Sequence, residues 1–210
     1  MLLFDYKDAP NPKVVRMFAL EKGIDLPRRP VDILDGENRR APYNIEINRT
    51  GRVPALQLET GAVLFEVLPI CEYLEERFPD PPLIGATLEE RAETRAWTRW
   101  IDLNYVERMS EACAVVEGPI RDHYAKNVYK TMLPASVGLT MVQIAHEKLA
   151  WFNGEMGDRR FVCGGQISLA DIHLYAFLEF FTGIGLSHPA ELEWINGFID
   201  LMRSRPSAAA

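Results

Sequence analysis

Two kinds of hydrophobic pattern alternate in the first part of the chain. Short apolar runs predict four β-strands, at residues 1–6, 26–31, 55–58 and 62–65. Helical spacing predicts helices at residues 13–22 and 66–78, together with a weaker one that ends near Asn48. The turn Glu59-Thr60-Gly61 joins the last two strands into a hairpin. The predicted order is therefore β-α-β-α-β-β-α.

The pattern changes after the segment Pro79-Asp80-Pro81-Pro82, which ends the preceding helix. No strand pattern follows Phe65, and long stretches of helical spacing take over, at residues 88–117, 140–152, 168–181 and 189–203, with an interruption at Gly118-Pro119. The stretch at 168–181 opens with Ser168-Leu169-Ala170-Asp171, a capping box. The sequence thus predicts a mixed α/β domain at residues 1–78, a linker at 79–87 and an all-helical domain at 88–210.

Composition and charge exclude several classes of function. Of the 210 residues, 48% are hydrophobic, which is enough for sizeable cores, and the net charge is −7. A negative chain is a poor partner for nucleic acid or for an anionic membrane surface, so we expect neither partner. Residues 1–6 have a strand pattern rather than that of a targeting leader, and no apolar run approaches membrane-spanning length. We therefore expect a cytoplasmic protein.

The cysteines and histidines give no sign of a metal site. The three cysteines are far apart and the four histidines share no ligand spacing, so we predict neither bound metal nor a disulfide framework. Cys71 and Cys113 lie within apolar helical patterns and are expected to pack as small hydrophobic residues.

The start of the first helix is a candidate site for chemistry. Asn11 followed by Pro12 predicts a helix with the asparagine as its N-cap and the proline in its first position. A helix N-terminus carries unpaired N–H groups and a partial positive charge, which lower the pKa of a thiol held there. If the side-chain oxygen of Asn11 caps the helix, its NH₂ group remains free to donate to a sulfur. The alternative is that Asn11 only caps.

Polar and strand-end residues suggest a binding site nearby. Pro54 opens a strand and cannot donate to the sheet; if its peptide bond is cis, the backbone of Val53 turns outward and can pair with an extended peptide. Glu66 begins a helix, where a carboxylate beside free N–H groups can hold the α-amino acid end of a ligand. Arg39 and Arg40 can pair with a ligand carboxylate. The alternatives are an ordinary trans proline, a dipole-matched acid and solvated arginines.

Four motifs follow one another along the chain, namely Ala9-Pro10-Asn11-Pro12-Lys13-Val14-Val15-Arg16, Gly51-Arg52-Val53-Pro54-Ala55-Leu56, Phe65-Glu66 with Ile70-Cys71-Glu72-Tyr73-Leu74-Glu75, and Ser168-Leu169-Ala170-Asp171. In this order they resemble the cytosolic glutathione S-transferase superfamily, and most closely its bacterial members whose first helix opens with Ala-Pro-Asn-Pro. The resemblance covers essentially the whole chain. It implies an α/β thioredoxin-like N-terminal domain, an all-α C-terminal helical bundle, glutathione as co-substrate and a homodimer.

The resemblance also implies roles for individual residues. Val53, before a cis Pro54, would pair with the cysteinyl backbone of glutathione, and Glu66 with Val67 would bind the γ-glutamyl end. The glycyl carboxylate would be reached by Arg39 or Arg40, with Arg52 as an additional candidate. The acceptor substrate would lie near the first helix and the long helix of the second domain, against Trp100, Asn104, Tyr105 and Arg108. The spacing of Trp100 is also typical of a core residue.

Two positions depart from the family's pattern. Many members contact the sulfur through Ser or Cys where this chain has Ala9, so Asn11 is the expected catalytic contact, with Tyr6 as a weaker candidate. Glu66 is normally followed by Ser or Thr, whereas this chain has Val67, which keeps the N–H and loses the hydroxyl. One missing hydrogen bond to a charged group weakens binding by about 1.5–3 kcal/mol, or roughly tenfold to a hundredfold.

The sequence therefore predicts a glutathione S-transferase that conjugates the glutathione thiolate to a small hydrophobic electrophile, as in detoxification. A second hypothesis is a non-catalytic binding or interaction module of the same fold, with Ala9 and Val67 as traces of lost catalysis. A third is a glutathione-dependent lyase or isomerase. A disulfide reductase is disfavoured because no cysteine lies between Ala9 and Asn11.

Overall fold

A computed structural model describes residues 1–114, 121–123 and 133–210. The described residues divide into two units, one made of Met1–Arg91 with Arg203–Ala210 and the other of Ala92–Met202. The sequence pattern places a linker at 79–87 and groups residues 203–210 with the helical half. The structure groups those residues with the first unit, because Arg205 and Ser207 hydrogen bond to Glu21 there.

A four-stranded mixed sheet forms the centre of the first unit, in the order β2-β1-β3-β4. The strands are β1 (Leu2–Asp5), β2 (Arg28–Pro30), β3 (Ala55–Gln57) and β4 (Val63–Phe65). β1 is parallel to β2 and antiparallel to β3, and β3 is antiparallel to β4. With the helical second unit, this arrangement confirms the predicted thioredoxin-like domain followed by an all-α domain.

Helices flank the sheet of the first unit. They are α1 (Pro10–Glu21) and α2 (Val67–Arg77), with a 3₁₀ turn at Glu37–Arg39, a π turn at Tyr43–Ile47 and a further 3₁₀ turn at Pro206–Ala209. Helix α1 buries a nearly continuous run of side chains from Val14 to Ala19, and α2 buries Ile70, Cys71 and Leu74. Cys71 and Cys113 are both buried, as their apolar surroundings in the sequence predicted.

The prediction that Asn11 caps the first helix is wrong. The N-cap is Ala9, with extended φ and ψ of −89° and 139°, and the helix begins at Pro10. Pro10 therefore occupies the first helical position, Asn11 the second and Pro12 the third. Proline has its φ preset near the helical value and lacks an N–H that would be unpaired there anyway, so the helix starts at Pro10, two residues earlier than the asparagine signal suggests.

A buried ion pair joins α1, α2 and the segment that follows α2. The Nζ of Lys22 lies 2.7 Å from Oε2 of Glu75, and the two side chains are 0% and 2% exposed. Lys22 also donates to the carbonyls of Phe78 and Pro81, each at 2.7 Å. Glu75 in turn accepts from the backbone N–H groups of residues 83 and 84, at 3.3 and 3.0 Å. Both charges are thus almost fully satisfied, which a buried pair requires.

The helices of the second half begin with α3 (Leu88–Ile101), which continues through a π-helical turn (Asp102–Val106) into α4 (Glu107–Cys113). From residue 133 onward, the helices are α5 (Ala135–Met156), α6 (Leu169–Gly183) and α7 (Glu193–Arg203). The predicted end of the long helix near 117 and its interruption at Gly118-Pro119 lie outside the described residues. Helix α6 is the most deeply buried of these, with nearly every side chain from Leu169 to Leu178 inside.

The predicted capping box is present at the start of α6. Oδ2 of Asp171 accepts hydrogen bonds from the N–H and hydroxyl of Ser168, at 2.8 and 2.6 Å, and Oδ1 accepts from the N–H of Val162 at 2.7 Å. Burial raises the pKa of Asp171 to about 6, although the bonds from Ser168 and Val162 act in the opposite direction. Asp171 is 0% exposed.

This elevated pKa makes the stability of the fold depend on pH. The folded state holds the proton of Asp171 more tightly than the unfolded chain, whose aspartates titrate near pH 4. The contribution of this protonated group to the free energy of unfolding is therefore complete below pH 4 and is lost as the pH rises through 6. The wild type should therefore lose stability relative to the Asp171→Asn variant as the pH rises. The difference between their free energies of unfolding should change by up to about 3 kcal/mol between pH 4 and 7. Urea titrations at each pH measure it. A flat difference contradicts the prediction, and the exposed Asp158→Asn serves as control.

Candidate functional site

The register of the sheet brings three segments to one of its ends. Ala55 pairs with both Phe4 on β1 and Phe65 on β4, and both pairings are antiparallel. The residues after Phe4 and after Phe65 therefore leave the sheet at the same end as those before Ala55. The loop from β1 to α1, the dipeptide Val53-Pro54 and the β4–α2 junction meet at this end. We call it the site end of the sheet.

Asn11 provides the free donors at the start of α1. Pro10 and Pro12 have no N–H, and the N–H of Lys13 bonds to the carbonyl of Ala9 at 3.3 Å. In this first turn, the N–H of Asn11 is therefore the one main-chain donor without a partner in the helix. The side chain of Asn11 is exposed and makes no hydrogen bond to the described residues. The start of α1 thus combines the positive end of a helix dipole with one free N–H and one amide NH₂ group, all of which favour a negatively charged ligand.

Tyr6 lies in the loop that leads to this helix. Its side chain is half-buried, and burial raises the pKa of the phenol, with further contributions from the negative charges of Asp8 and Asp32. Tyr6 is therefore held in the neutral form at neutral pH and retains its proton.

Val53 precedes a cis peptide bond to Pro54. The carbonyl of Arg52 is anchored by the hydroxyl of Tyr43 at 2.7 Å and by the amide of Asn48 at 3.0 Å. The N–H and C=O of Val53 take no part in the backbone hydrogen bonds of the described residues. Its side chain packs on the cluster of Phe4, Val31, Tyr43 and Ala55. Val53 thus has a fixed side chain and a main chain with unused donor and acceptor groups.

The turn before Val53 is shaped by a buried asparagine. The amide of Asn38, which is 4% exposed, donates to the carbonyl of Gly51 at 2.6 Å. Gly51 has a φ of +64°, and a Cβ there would lie 2.9 Å from the carbonyl oxygen of Asn38 and 3.0 Å from Cδ of Arg39. Only glycine fits this position without strain or displacement of its neighbours.

The start of α2 is strained and open. Glu66 has a φ of 69° and a ψ of 142°, and it is the one described non-glycine residue with a positive φ. Backbone in this region costs about 1–3 kcal/mol and is concentrated at functional sites. Glu66 is exposed and its side chain does not cap the helix. Pro69 has no N–H and Ile70 donates back to Glu66, so the free N–H groups are those of Val67 and Leu68.

The three candidate arginines differ in what already holds them. Nη1 of Arg39 donates to the carbonyl of Thr50 at 3.0 Å, and the side chain is half-buried. Arg40 pairs with the carboxylate of Asp35, and the hydrogen bond that it donates to this carboxylate raises the pKa of Arg40. Within the described chain, the exposed guanidinium of Arg52 makes no hydrogen bond or ion pair.

Trp100 belongs to an aromatic cluster in the second unit. Its ring stacks on Phe152 with centroids 5.3 Å apart, and it contacts Trp151 at 5.0 Å and Trp97 at 6.1 Å. Trp151 is 49% exposed, whereas Trp97 and Trp100 are half-buried. Packing within the cluster accounts for the helical spacing of Trp97 and Trp100.

The π-helical turn contains the next two candidates. Asn104 donates to the carbonyl of Trp100 at 2.9 Å, within its own helix. Tyr105 is 1% exposed, contacts Phe181 edge-on at 5.7 Å, and burial raises the pKa of its phenol. Arg108, one turn further, is exposed and has no partner among the described residues. Short π-helical stretches occur often at functional sites.

Sequence reasoning missed the groups that hold the binding segment in place. Asn38 and Tyr43 were not singled out, although Asn38 donates to the carbonyl of Gly51 and Tyr43 to that of Arg52. A signal was available for both, since they are polar residues beside a turn that contains glycine and proline. Their burial became apparent only in the folded chain.

Neither a metal cluster nor a membrane span is found in the described ranges. No group of three or more His, Cys, Asp and Glu side chains is placed to hold a metal ion. None of the described helices combines the length and apolarity needed to cross a bilayer.

A thioredoxin-like sheet with a free main chain beside a cis proline, followed by a helical unit, defines the class of the protein, and comparison with known proteins gives its family. The model for "Glutathione S-transferase, N-terminal domain" matches residues 3–82, and that for "Glutathione S-transferase, C-terminal domain" matches residues 106–209. The chain belongs to the glutathione S-transferase superfamily.

Individual relatives agree with this assignment. A maleylacetoacetate isomerase from Pseudomonas aeruginosa is 38% identical over 96 residues, which are 45% of this chain and 45% of that protein. Glutathione S-transferase 2 from Saccharomyces cerevisiae is 26% identical over 99% of this chain and 87% of its own length. The crystal structure of a glutathione S-transferase domain-containing protein from Marinobacter aquaeolei VT8 matches with a TM-score of 0.90 and 25% identity, over 99% of each chain.

Proposed function

We propose that the protein is a glutathione transferase that conjugates the thiolate of glutathione to a small, hydrophobic electrophile. The observation that carries this proposal is the meeting of three sets of unused groups at the site end of the sheet. They are the donors of Asn11, the main chain of Val53 and the start of α2 at Glu66. An extended peptide with a central thiol and a zwitterionic end matches this arrangement.

Each part of glutathione has a counterpart in the proposed site. The cysteinyl backbone pairs with Val53, in the manner of a short added strand. The γ-glutamyl carboxylate accepts hydrogen bonds from the N–H groups of Val67 and Leu68, with the positive end of the helix dipole behind them. Glu66 holds the γ-glutamyl ammonium.

The glycyl carboxylate is the last group to be placed. Arg52 has an exposed guanidinium with no partner in the described ranges, so we propose it as the main contact, with Arg39 behind it. Arg40 is already paired with Asp35 and contributes through its charge alone.

Catalysis in this proposal rests on a lowered thiol pKa and on proximity. The partial charge of the α1 N-terminus and the donors of Asn11 stabilise the thiolate, and the thiol proton passes to solvent. The sulfur attacks the electrophilic carbon, a C–S bond forms, and the leaving group departs with its electron pair. For the acceptor, we propose contacts with Trp100 and Arg108. Asn104 and the buried Tyr105 would shape the helix that carries them.

Calorimetric titration with glutathione tests the binding site. We expect the wild type to bind at millimolar concentration or below, and Val67→Ser to bind about tenfold more tightly, because the new hydroxyl donates to the γ-glutamyl carboxylate. Val67 is 6% exposed, so the same change removes buried methyl groups and should lower the free energy of unfolding by about 1 kcal/mol.

A valine at the other end of β4 provides the matched control. Val63→Ser should leave the affinity for glutathione unchanged, because Val63 pairs with Gln57 away from the site end. An absence of binding by the wild type at millimolar concentration contradicts the proposed function. Unchanged or weaker binding by Val67→Ser would mean that the γ-glutamyl group is held in another way.

A glutathione-dependent isomerase is the second candidate, favoured by the 38% identity to a maleylacetoacetate isomerase over 45% of this chain. In an isomerase, glutathione adds to the substrate and leaves again, so it is not consumed. Assays with maleylacetoacetate and with a chloroarene separate the two, because only conjugation removes free thiol. A chain that binds glutathione and turns over neither substrate is the non-catalytic module.

We further propose that the protein acts as a cytoplasmic homodimer, as the family resemblance implies. Light scattering after size-exclusion chromatography tests this, since a mass near that of one chain rather than two contradicts it.

A further inference from the structure

The C-terminal segment, residues 203–210, lies far in sequence from the site but is part of the first unit. It runs beside α1 and makes hydrogen bonds at two levels of that helix. One level is the end of the helix, at Glu21, and the other is its middle, at Arg16. Both contacts span more than 180 positions of sequence, so the sequence pattern gave no indication of them.

At the end of α1, three donors of the C-terminal segment converge on one carboxylate. Nε and Nη2 of Arg205 donate to the two oxygens of Glu21, at 2.7 and 2.6 Å, and the hydroxyl of Ser207 donates to Oε1 as well. Burial acts to raise the pKa of Glu21, but these hydrogen bonds hold it below its usual value. A forked arginine–carboxylate pair fixes orientation as well as distance.

In the middle of α1, the guanidinium of Arg16 connects the C-terminal segment to the loop that precedes the helix. Arg16 is 4% exposed and forms an ion pair with Asp5, the last residue of β1. Its Nη2 donates to the carbonyl of Lys7 at 2.8 Å and to the main-chain oxygen of Ala210 at 3.3 Å. One buried side chain thus joins the end of β1, the loop and the C-terminal segment.

The loop held by Arg16 is the one that places Asn11. The N–H of Ala9 bonds to the carbonyl of Tyr6 at 3.1 Å, and Ala9 is the N-cap of α1. Asn11 follows two positions later, and its side chain makes no hydrogen bond to the described residues. Its place relative to Val53 therefore depends on how firmly residues 6–9 and α1 are held.

We propose that the C-terminal segment is a positioning element that holds the β1–α1 loop and, through it, the donors of Asn11. Glu21 and Arg205 are positioning residues in this account, not catalytic ones. The consequence for catalysis rests on the proposed function, because a thiolate is stabilised by Asn11 only if its donors are correctly placed. The ordering of the loop itself does not depend on that function.

Hydrogen exchange measures the ordering directly and needs no ligand. In Glu21→Ala and in Arg205→Ala, the amides of Ala9 and Lys13, which bond to the carbonyls of Tyr6 and Ala9, should exchange about three- to tenfold faster than in the wild type. The amides of β3 and β4 should be unchanged. Exposed Glu76→Ala on α2 is the matched control and should show no effect. Arg205→Lys keeps the charge but loses the two-pronged hydrogen bonding, so it should give an intermediate increase in exchange. It replaces the alanine variants in this test if they fail to fold.

The pH profile of glutathione-dependent turnover tests the link to the site. We expect the apparent pKa of the bound thiol to rise by about half a unit in Glu21→Ala and Arg205→Ala. Unchanged exchange at Ala9 and Lys13, or a uniform increase over the first unit, overturns the proposal. Local loosening with an unmoved pH profile also overturns the positioning role. If the wild type shows no turnover, the proposed function fails, and exchange alone decides whether the segment holds the loop.

Discussion

Replacement of Glu75 by alanine should lower the free energy of unfolding by about 3–5 kcal/mol, the cost of leaving a buried charge without its partner. The side chain of Lys22 is 0% exposed, so water cannot replace the lost carboxylate. Two backbone N–H groups, those of Leu83 and Ile84, lose their acceptor at the same time. Equilibrium unfolding in urea or guanidinium chloride, followed by circular dichroism, measures the change.

A double-mutant cycle separates the ion pair from general packing. Lys22→Ala and Glu75→Ala together should cost at least about 1 kcal/mol less than the sum of the single changes, because the second removes the charge that the first leaves unpaired. Glu76→Ala, at the exposed neighbouring position, should stay within about 0.5 kcal/mol of the wild type. A cost below about 1 kcal/mol for Glu75→Ala would contradict the role of the pair.

Replacement of Asn11 by alanine should lower kcat/KM for glutathione conjugation by roughly tenfold to a hundredfold, because the thiolate loses a side-chain hydrogen bond worth about 1.5–3 kcal/mol. The apparent pKa of the bound thiol should rise in the same variant. Steady-state kinetics with a chloroarene electrophile over a pH series measure both quantities.

Two further variants identify the chemistry of that contact. Asn11→Asp has nearly the same shape but no NH₂ group, and its negative charge should raise the apparent thiol pKa more than alanine does. Tyr6→Phe should leave the profile unchanged, since Tyr6 is not the proposed donor. If Tyr6→Phe abolishes turnover and Asn11→Ala does not, the tyrosine is the contact and Asn11 has been assigned wrongly.

The order of elements was predictable because most strands and helices of the first unit carry their own hydrophobic period; β2 is the exception, since all three of its residues are exposed. Leu3, Leu56 and Ile70 all lie where their patterns place them inside, and all are fully buried. The Ser168–Asp171 capping box was predictable for a similar reason, since its contacts lie within one turn.

The start of α1 shows where local signals fall short. Asparagine and proline both favour helix starts, and Ala9, Pro10, Asn11 and Pro12 place two overlapping signals side by side. In the folded chain the helix begins at Pro10, and Ala9 is its N-cap. Asn11 is consequently not needed as a cap, and its side chain is left exposed.

By itself, the sequence determined the class of fold and the residue types at the site end of the sheet, because periodicity, turns and capping are encoded within a few neighbouring positions. Only the tertiary structure decided which of these residues have unused groups. The positive φ of Glu66 and the anchoring of Arg52 by Tyr43 and Asn48 involve nearer positions, but no hydrophobic period marks them. The fork from Arg205 to Glu21 and the bond from Arg16 to Ala210 join segments that are distant along the chain. Contacts of this kind arise from packing, and packing joins residues that no local pattern connects.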